Sequence, residues 1–201
     1  MNDLCVDVGY RSLLKHGEEL CGDMVQLIRD DNMTVLVLAD GLGSGVKANI
    51  LSTLTSKIIA TMAAAKMSIE ECVSTIIATL PVCQTRGVAY STFSIIKITD
   101  NTEAEIIQYD NPAVILLRDG KSYDYPYETH IISDKKIMQS KITLKQYDVF
   151  IAMSDGAIFA GVGELMNFGW QRENIVRFAE DSYDAKNSAQ AVSSSILEQC
   201  N

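Results

Sequence analysis

The sequence predicts a single α+β domain at residues 1–201, in which antiparallel strands and helices form a layered sandwich. Many short apolar runs are separated by Asp, Asn and Gly turns, a pattern that favours antiparallel strands. Helical periodicity is confined to two places, near residues 46–80 and 175–197. The 201 residues, 47% of them apolar, are enough for one well-buried core.

The first part of the chain is predicted to be strand-rich. Loose alternation favours a strand over residues 5–14, and an Asp30-Asp31-Asn32 turn joins the strand at 24–29 to the apolar run from Val35 to Ala39 as a hairpin. A short turn places the start of one strand beside the end of the other. Asp23 and Asp40 are therefore expected to lie close together.

Two consecutive helices are predicted next. The first runs from Val46 to about Lys66, and Ser68 is a suitable N-cap for the second, which runs to about Leu80 before Pro81. One buried stripe is expected on the first helix, made of Val46, Ile50, Leu51, Leu54, Ile58, Ile59 and Met62.

The rest of the chain returns to strands and ends in helices. Asp100-Asn101 and Asp119-Gly120 are predicted hairpin turns. The predicted strands are 91–99, 103–109, 113–118, 122–125, 137–143 and 148–153, followed by helices around 175–179 and 189–197.

Composition argues against several classes of partner. The formal net charge of -9 repels nucleic acid and anionic membrane surfaces. The first residues do not resemble a signal peptide, and no apolar run approaches the ~18 residues of a membrane span. The five cysteines are scattered, without a CxxC pair or zinc-site spacing. We expect a cytoplasmic protein with free thiols.

Three aspartates stand beside glycines at the ends of predicted strands, in Gly22-Asp23, Asp40-Gly41 and Asp155-Gly156. Carboxylates without histidine or thiolate neighbours suit hard cations, so Mg²⁺ or Mn²⁺ is expected. Two cations would account for three aspartates and would suit in-line displacement at phosphorus. Gly41 could also let its carbonyl oxygen approach a cation. A purely structural turn role stays open, because Asp-Gly pairs are common in turns.

Two other kinds of site have weaker support. The run from Gly41 to Gly45 precedes a helix as a phosphate-binding loop would, but its spacing is GxGxG and strand–helix alternation is missing. Gly43 and Gly45 are instead expected to let the long helix pack closely. His16 and His130 are expected in polar loops, which leaves nucleophilic catalysis without a base.

Four motifs in this order resemble those of the PPM metal-dependent serine/threonine phosphatases, and in particular their bacterial SpoIIE-like branch. They are Gly22-Asp23, ADGLGSG at 39–45, YDNPA at 109–113 and MSDG at 153–156. The resemblance implies a four-layer α-β-β-α sandwich of two antiparallel sheets with a binuclear Mn²⁺ or Mg²⁺ site between them. It also implies a protein phosphatase in which a metal-bridging hydroxide attacks phosphoserine or phosphothreonine.

The resemblance also implies roles for individual residues. Asp40 would bridge both metals, Gly41 and Asp23 would serve one of them, and Asp155 would hold the other. Members of this branch act on anti-sigma-factor antagonist (STAS) proteins in sporulation or stress signalling, which makes such a protein the expected substrate.

The loop Thr85-Arg86-Gly87 resembles that of the stressosome-resetting members, although Arg86 is expected to be structural.

Two departures from the family pattern qualify this expectation. Leu42 stands where many eukaryotic relatives have a histidine, so leaving-group protonation would fall to metal-bound water. The family's closing Asp-Asp-x-Thr segment is absent, and Asp181 and Asp184 lie in or beside helical segments. We therefore expect a fragment whose final strand and further metal ligand lie beyond Asn201, and which could be inactive. The alternative is a non-catalytic PPM-like regulatory domain that acts by protein–protein binding.

Overall fold

Two antiparallel sheets and the helices on their outer faces make up the fold. The structure, a computed structural model, describes residues 4–14, 16–79, 91–161 and 169–200. In these ranges the strands are β1 (Asp23–Asp30), β2 (Met33–Gly41), β3 (Ser91–Thr99), β4 (Glu103–Tyr109), β5 (Ile115–Arg118), β6 (Lys121–Ser122), β7 (Glu128–Ile132), β8 (Lys135–Thr143) and β9 (Val149–Ile151). The helices are α1 (Gly45–Ala64), α2 (Ile69–Thr79), α3 (Asp155–Ile158), α4 (Arg172–Asp181) and α5 (Ala189–Cys200).

The strands form one large and one small sheet. The large sheet has the order β1-β2-β3-β4-β8-β7, and the small sheet has the order β6-β5-β9. The ladders between described strands are all antiparallel. This arrangement confirms the predicted α+β sandwich and excludes the parallel sheet of a dinucleotide-binding fold.

Three apolar cores separate four layers. The first lies between α1, α2 and the large sheet, the second between the two sheets, and the third between the small sheet and α4 and α5. Strand β2 shows how one strand serves two cores, because Val35 and Val37 face the helices while Leu36 faces the small sheet. The layers confirm the α-β-β-α order that the family resemblance implied.

Helix α1 packs on the sheet largely through small residues, and the buried stripe predicted for it is only partly correct. Leu51 and Ile59 of that stripe are buried, but three of its other members are not. Val46, Ile50 and Leu54 are 62%, 52% and 46% exposed. The buried face consists of Ala48, Leu51, Ser52, Thr55, Ser56, Ile59, Ala60 and Ala63. The hydroxyls on this face are satisfied within the helix; Thr55 Oγ1, for example, donates to the Leu51 carbonyl at 2.8 Å.

Helix α1 and the sheet lie very close together at Gly41. A Cβ atom added at Gly41 would lie 2.0 Å from the carbonyl oxygen of Ala48. The close approach therefore lies at Gly41, and not at Gly43 or Gly45 as the sequence suggested. Those two glycines have positive φ angles of 103° and 65°, which the loop into α1 requires.

The N-terminal segment is not a strand, contrary to prediction. Residues 4–14 have no regular secondary structure. The Asp7 carboxylate accepts a hydrogen bond from the Ala189 N–H at 2.7 Å, and the Val6 carbonyl accepts one from Arg29 at 3.3 Å. A Cβ atom on Gly9 would lie 2.2 Å from the Gln190 nitrogen. The segment is thus held by side chains and by the start of α5 rather than by a neighbouring strand.

Other predicted boundaries are confirmed or corrected locally. The turns at Asp100-Asn101 and Asp119-Gly120 adopt the expected positive φ angles, and Ser68 and Glu71 form a reciprocal cap on α2. The strand predicted at 122–125 is reduced to β6, while β7 and α3 were not predicted. The Thr85-Arg86-Gly87 loop lies outside the described residues. Nowhere in the described part is a helix both long enough and apolar enough for a bilayer crossing.

A buried ion pair fixes the small sheet to the loop between β8 and β9. Arg118 donates to both carboxylate oxygens of Asp148, at 2.9 and 2.7 Å, and to the carbonyl of Thr143 at 3.0 Å. Only 11% of the Arg118 side chain and 2% of the Asp148 side chain are exposed. The two hydrogen bonds from Arg118 therefore compensate the charge of the buried Asp148 carboxylate, which would destabilise the fold if it had no partner.

We predict that Gly41→Ala lowers the free energy of unfolding by about 3 kcal/mol, because the methyl group must displace the backbone of α1. Gly156→Ala is the matched control, since its Cβ would meet only Ser154 Oγ at 3.7 Å. We expect the control to change stability by less than about 0.5 kcal/mol. Urea titration followed by circular dichroism measures both, and equal effects would contradict the close contact at Gly41.

We also predict that Arg118→Ala costs about 3 kcal/mol, because it leaves the Asp148 carboxylate buried without a partner. Lys121→Ala breaks the ion pair with Glu180, but Lys121 is 76% exposed, so a negligible change is expected. Chemical denaturation of both variants tests this contrast. A small loss in Arg118→Ala would mean that the pair adds little to stability.

Candidate metal centre

The β1–β2 hairpin brings the first two aspartates together, as predicted. β1 begins at Asp23, β2 ends at Asp40-Gly41, and the register places Asp23 directly opposite Asp40. Asp40 shares a strand face with Leu36, which packs between the sheets. Both carboxylates therefore point towards the space between the two sheets, at its edge.

Asp155 reaches the same place from the small sheet. β9 ends at Ile151, and Asp155 is the first residue of α3. The preceding Ser154 donates a hydrogen bond from its hydroxyl to Asp23 Oδ2 at 2.7 Å. The Asp23 and Asp155 carboxyls lie close enough to that of Asp40 to raise its pKa. The structure thus brings together the three aspartates that the sequence singled out.

Backbone contacts fix the strand end that carries Asp40. The Ser91 hydroxyl donates to the Asp40 carbonyl at 2.9 Å, and the Gly41 N–H donates to the Gly22 carbonyl at 3.1 Å. Gly41 is paired with Ser91 across β2 and β3. The backbone at Asp40 and Gly41 is consequently fixed by hydrogen bonds to β3 on one side and to Gly22, next to β1, on the other.

A buried polar network lies behind the carboxylates, and sequence reasoning did not find it. Thr92, opposite Asp40, donates to Asn111 Oδ1 at 3.0 Å, and Asn111 donates to Ser94 Oγ at 3.2 Å. Gln108 adds a bond to the Pro112 carbonyl at 2.9 Å. The available signal was the placement of these polar residues in or beside otherwise apolar strands, one of them within the YDNPA motif.

The electrostatics of the cluster favour a cation. Burial raises the pKa of Asp23, and the charge of Asp155 adds to this effect. Burial, followed by the charges of Asp23 and Asp155, raises the pKa of Asp40 to about 8. Without a cation, the cluster therefore retains a proton at neutral pH.

The donor set fits a hard cation, because it consists of carboxylate oxygens that repel one another. Within the described ranges, no group of three or more His, Cys, Asp or Glu side chains has the geometry of a preformed metal site. The carboxyls of Asp23 and Asp155 instead act on Asp40 through their charges. A cation that replaced the shared proton would satisfy all three groups at once.

The two histidines lie elsewhere. His16 is in an exposed turn, and His130 lies on β7, at the opposite edge of the large sheet from β1. The expectation that His130 lies in a loop is therefore wrong. Its Nε2 lies 3.8 Å from a carboxylate oxygen of Glu128 on the same strand. Neither position supports a nucleophile–base pair with the aspartates.

Comparison with known proteins gives one family match. A family model described as stage II sporulation protein E (SpoIIE) matches residues 30–201. A search of curated proteins by sequence finds no significant match.

Several solved structures share the fold. The PP2C phosphatase domain of SpoIIE from Bacillus subtilis, solved with a fragment of its regulatory domain, superposes with a TM-score of 0.77 at 19% identity, covering 96% of this chain and 56% of that one. The RsbU and RsbW domains of a Mycobacterium tuberculosis protein give 0.72 at 16%, covering 94% and 52%. RsbX in complex with magnesium gives 0.61 at 24%, covering 92% and 83%. The chain thus spans about half the length of the first two.

We predict that the cluster makes stability depend on both pH and cations. Asp40 has a folded pKa of about 8 against an unfolded value of about 3.9, so the folded state binds more protons between these values. Its contribution to stability is therefore complete below about pH 4 and lost as the pH rises through about 8. Added Mg²⁺ should stabilise the chain more at pH 8 than at pH 5.5, because it replaces that proton.

Urea unfolding at both pH values, with and without Mg²⁺, measures the effect. Asp40→Asn should remove most of this pH dependence and most of the Mg²⁺ effect. A variant that responds to Mg²⁺ as the wild type does would show that the ion binds elsewhere.

Proposed function

The chain belongs to the SpoIIE family of PP2C-type phosphatases, and on this premise we propose that it is a Mg²⁺- or Mn²⁺-dependent protein serine/threonine phosphatase. The observation that carries the proposal is the convergence of Asp23, Asp40 and Asp155 from two different sheets. A fold can persist without its chemistry. Buried, mutually repelling carboxylates are harder to explain without a bound cation.

We assign the central position to Asp40, which lies close to both other carboxyls. Asp23 and the carbonyl of Gly41 would bind one cation, and Asp155 the other. When bound, the two cations supply an activated water and neutralise charge at phosphorus.

The supporting residues would keep these ligands in place. The Ser154 hydroxyl donates to one carboxylate oxygen of Asp23, so the other oxygen is available to coordinate a cation. The Ser91 hydroxyl donates to the Asp40 carbonyl and so fixes the backbone next to Gly41. Asp23 and Asp40 are partly buried, whereas Asp155 is exposed. The cluster therefore opens to solvent on the Asp155 side, where a phosphorylated side chain can enter.

We propose a phosphorylated STAS-domain protein in the cytoplasm as the substrate. Family membership supports this proposal, as does the nature of two structural neighbours, a cell-fate determinant and a chain that contains RsbU and RsbW domains.

We predict that the wild type hydrolyses p-nitrophenyl phosphate only when Mn²⁺ or Mg²⁺ is present. Asp40→Asn and Asp155→Asn should each lower kcat/KM by about 100-fold or more, because each removes a charged ligand. Asp119→Asn is the matched control, since it makes the same change in an exposed hairpin turn where φ is 52° and Asn is well tolerated.

Circular dichroism would confirm that all three variants are folded. Metal-independent hydrolysis, or full activity in Asp40→Asn, would contradict the proposed site. A wild type that binds neither ion and hydrolyses nothing would favour the non-catalytic regulatory domain instead.

A further inference from the structure

Phe159 is an unusual residue in the turn that follows Asp155. Its neighbours Ala157, Ile158 and Ala160 pack against the core of the small sheet. Phe159 is the largest side chain of this turn, yet it is 61% exposed. Burying a phenylalanine side chain stabilises a fold, so the outward position of Phe159 forgoes a gain in stability.

The backbone places Phe159 beside the carboxylate cluster. The Phe159 N–H donates to the Asp155 carbonyl at 3.0 Å, which closes one helical turn between the two residues. Residues four apart in such a turn lie on the same face. The Phe159 side chain therefore lies on the same face of this turn as Asp155.

Two more exposed apolar side chains lie close in sequence to the other candidate ligands. Leu20, 41% exposed, is three residues before Asp23, and Val46, 62% exposed, is five residues after Gly41. We call Leu20, Val46 and Phe159 the apolar rim.

The segments that carry Leu20 and Val46 adjoin each other. Asn49 donates to the Cys21 carbonyl at 2.8 Å, and a Cβ atom on Gly45 would lie 2.5 Å from a Glu18 carboxylate oxygen. These adjoining segments lead into β1 at Asp23 and out of β2 at Gly41, and Phe159 lies in the turn that begins at Asp155.

We propose that the apolar rim, with Phe159 as its anchor, binds apolar side chains that flank the phosphorylated serine or threonine of a protein substrate. This inference rests on the proposed phosphatase function. The chain carries a net charge of -9, so outside the cation site long-range electrostatics do not favour a phosphorylated and therefore anionic segment. Short-range contact must supply the affinity instead, and exposed aromatic side chains are frequent anchors at such surfaces.

The test uses two synthetic phosphoserine peptides that differ only in the residues flanking the phosphoserine, leucine in one and serine in the other. We expect the wild type to favour the leucine peptide by about tenfold in kcat/KM, which corresponds to partial burial of one apolar side chain. Phe159→Ala should reduce the preference to about twofold or less. The ratio of the two peptides within one variant cancels any general loss of activity.

Tyr127→Ala is the matched control, because Tyr127 is 59% exposed but lies next to β7, at the far edge of the large sheet. This variant should keep the wild-type preference. A wild type with equal kcat/KM for both peptides, or a Phe159→Ala variant that keeps the preference, would overturn the proposal.

Failure of the phosphatase function itself would be recognised separately, as a wild type that does not hydrolyse p-nitrophenyl phosphate. In that case fluorescence anisotropy measures the binding of phosphonate versions of the two peptides, and this comparison tests the apolar rim. Tighter binding of the leucine peptide that is lost in Phe159→Ala supports the rim, whereas equal or undetectable binding overturns it.

Discussion

The structure depends on holding two sheets together at the point where their carboxylates repel. Asp23 and Asp40 belong to the large sheet, whereas Asp155 follows the last strand of the small one. Two unit charges about 4 Å apart near a protein surface repel by roughly 4 kcal/mol, while each fully buried isoleucine or leucine contributes about 1.5–3 kcal/mol. The apolar core between the sheets, with Ile106 and Leu116 at 1% exposure, is therefore large enough to impose the contact. A proton or a cation then relieves the repulsion.

Local sequence signals were sufficient where the contacts are local. The β1–β2 hairpin, its register and the meeting of Asp23 with Asp40 follow from two apolar runs and a short turn. The position of Asp155 required more, because it depends on how two sheets stack. The matching strand-end contexts of the three aspartates suggested that Asp155 joins the other two, and the resemblance of several motifs to a known family supported this. The polar network through Asn111 was not predictable in the same way, since its partners come from two strands and the loop that follows them.

The errors in the predicted elements have a common physical origin. Apolar periodicity identifies large side chains, but α1 lies so close to the sheet at Gly41 that small side chains make up much of its buried face. Val46, Ile50 and Leu54 are exposed instead, while Leu51 and Ile59 stay buried. In the N-terminal segment, alternation suggested a strand, but Asp7 and Gly9 contact the start of α5 and fix the backbone there. In both places tertiary packing overrode a pattern that was locally reasonable.

The hydrogen bond between Ser154 and Asp23 joins residues 131 positions apart. Contacts of such long sequence separation form late in folding, because the entropy of closing the chain must be met by other structure first. A nascent or partly folded chain can form the β1–β2 hairpin, but it has no complete carboxylate cluster. A cation held by all three carboxylates would therefore bind only chains that have completed both sheets.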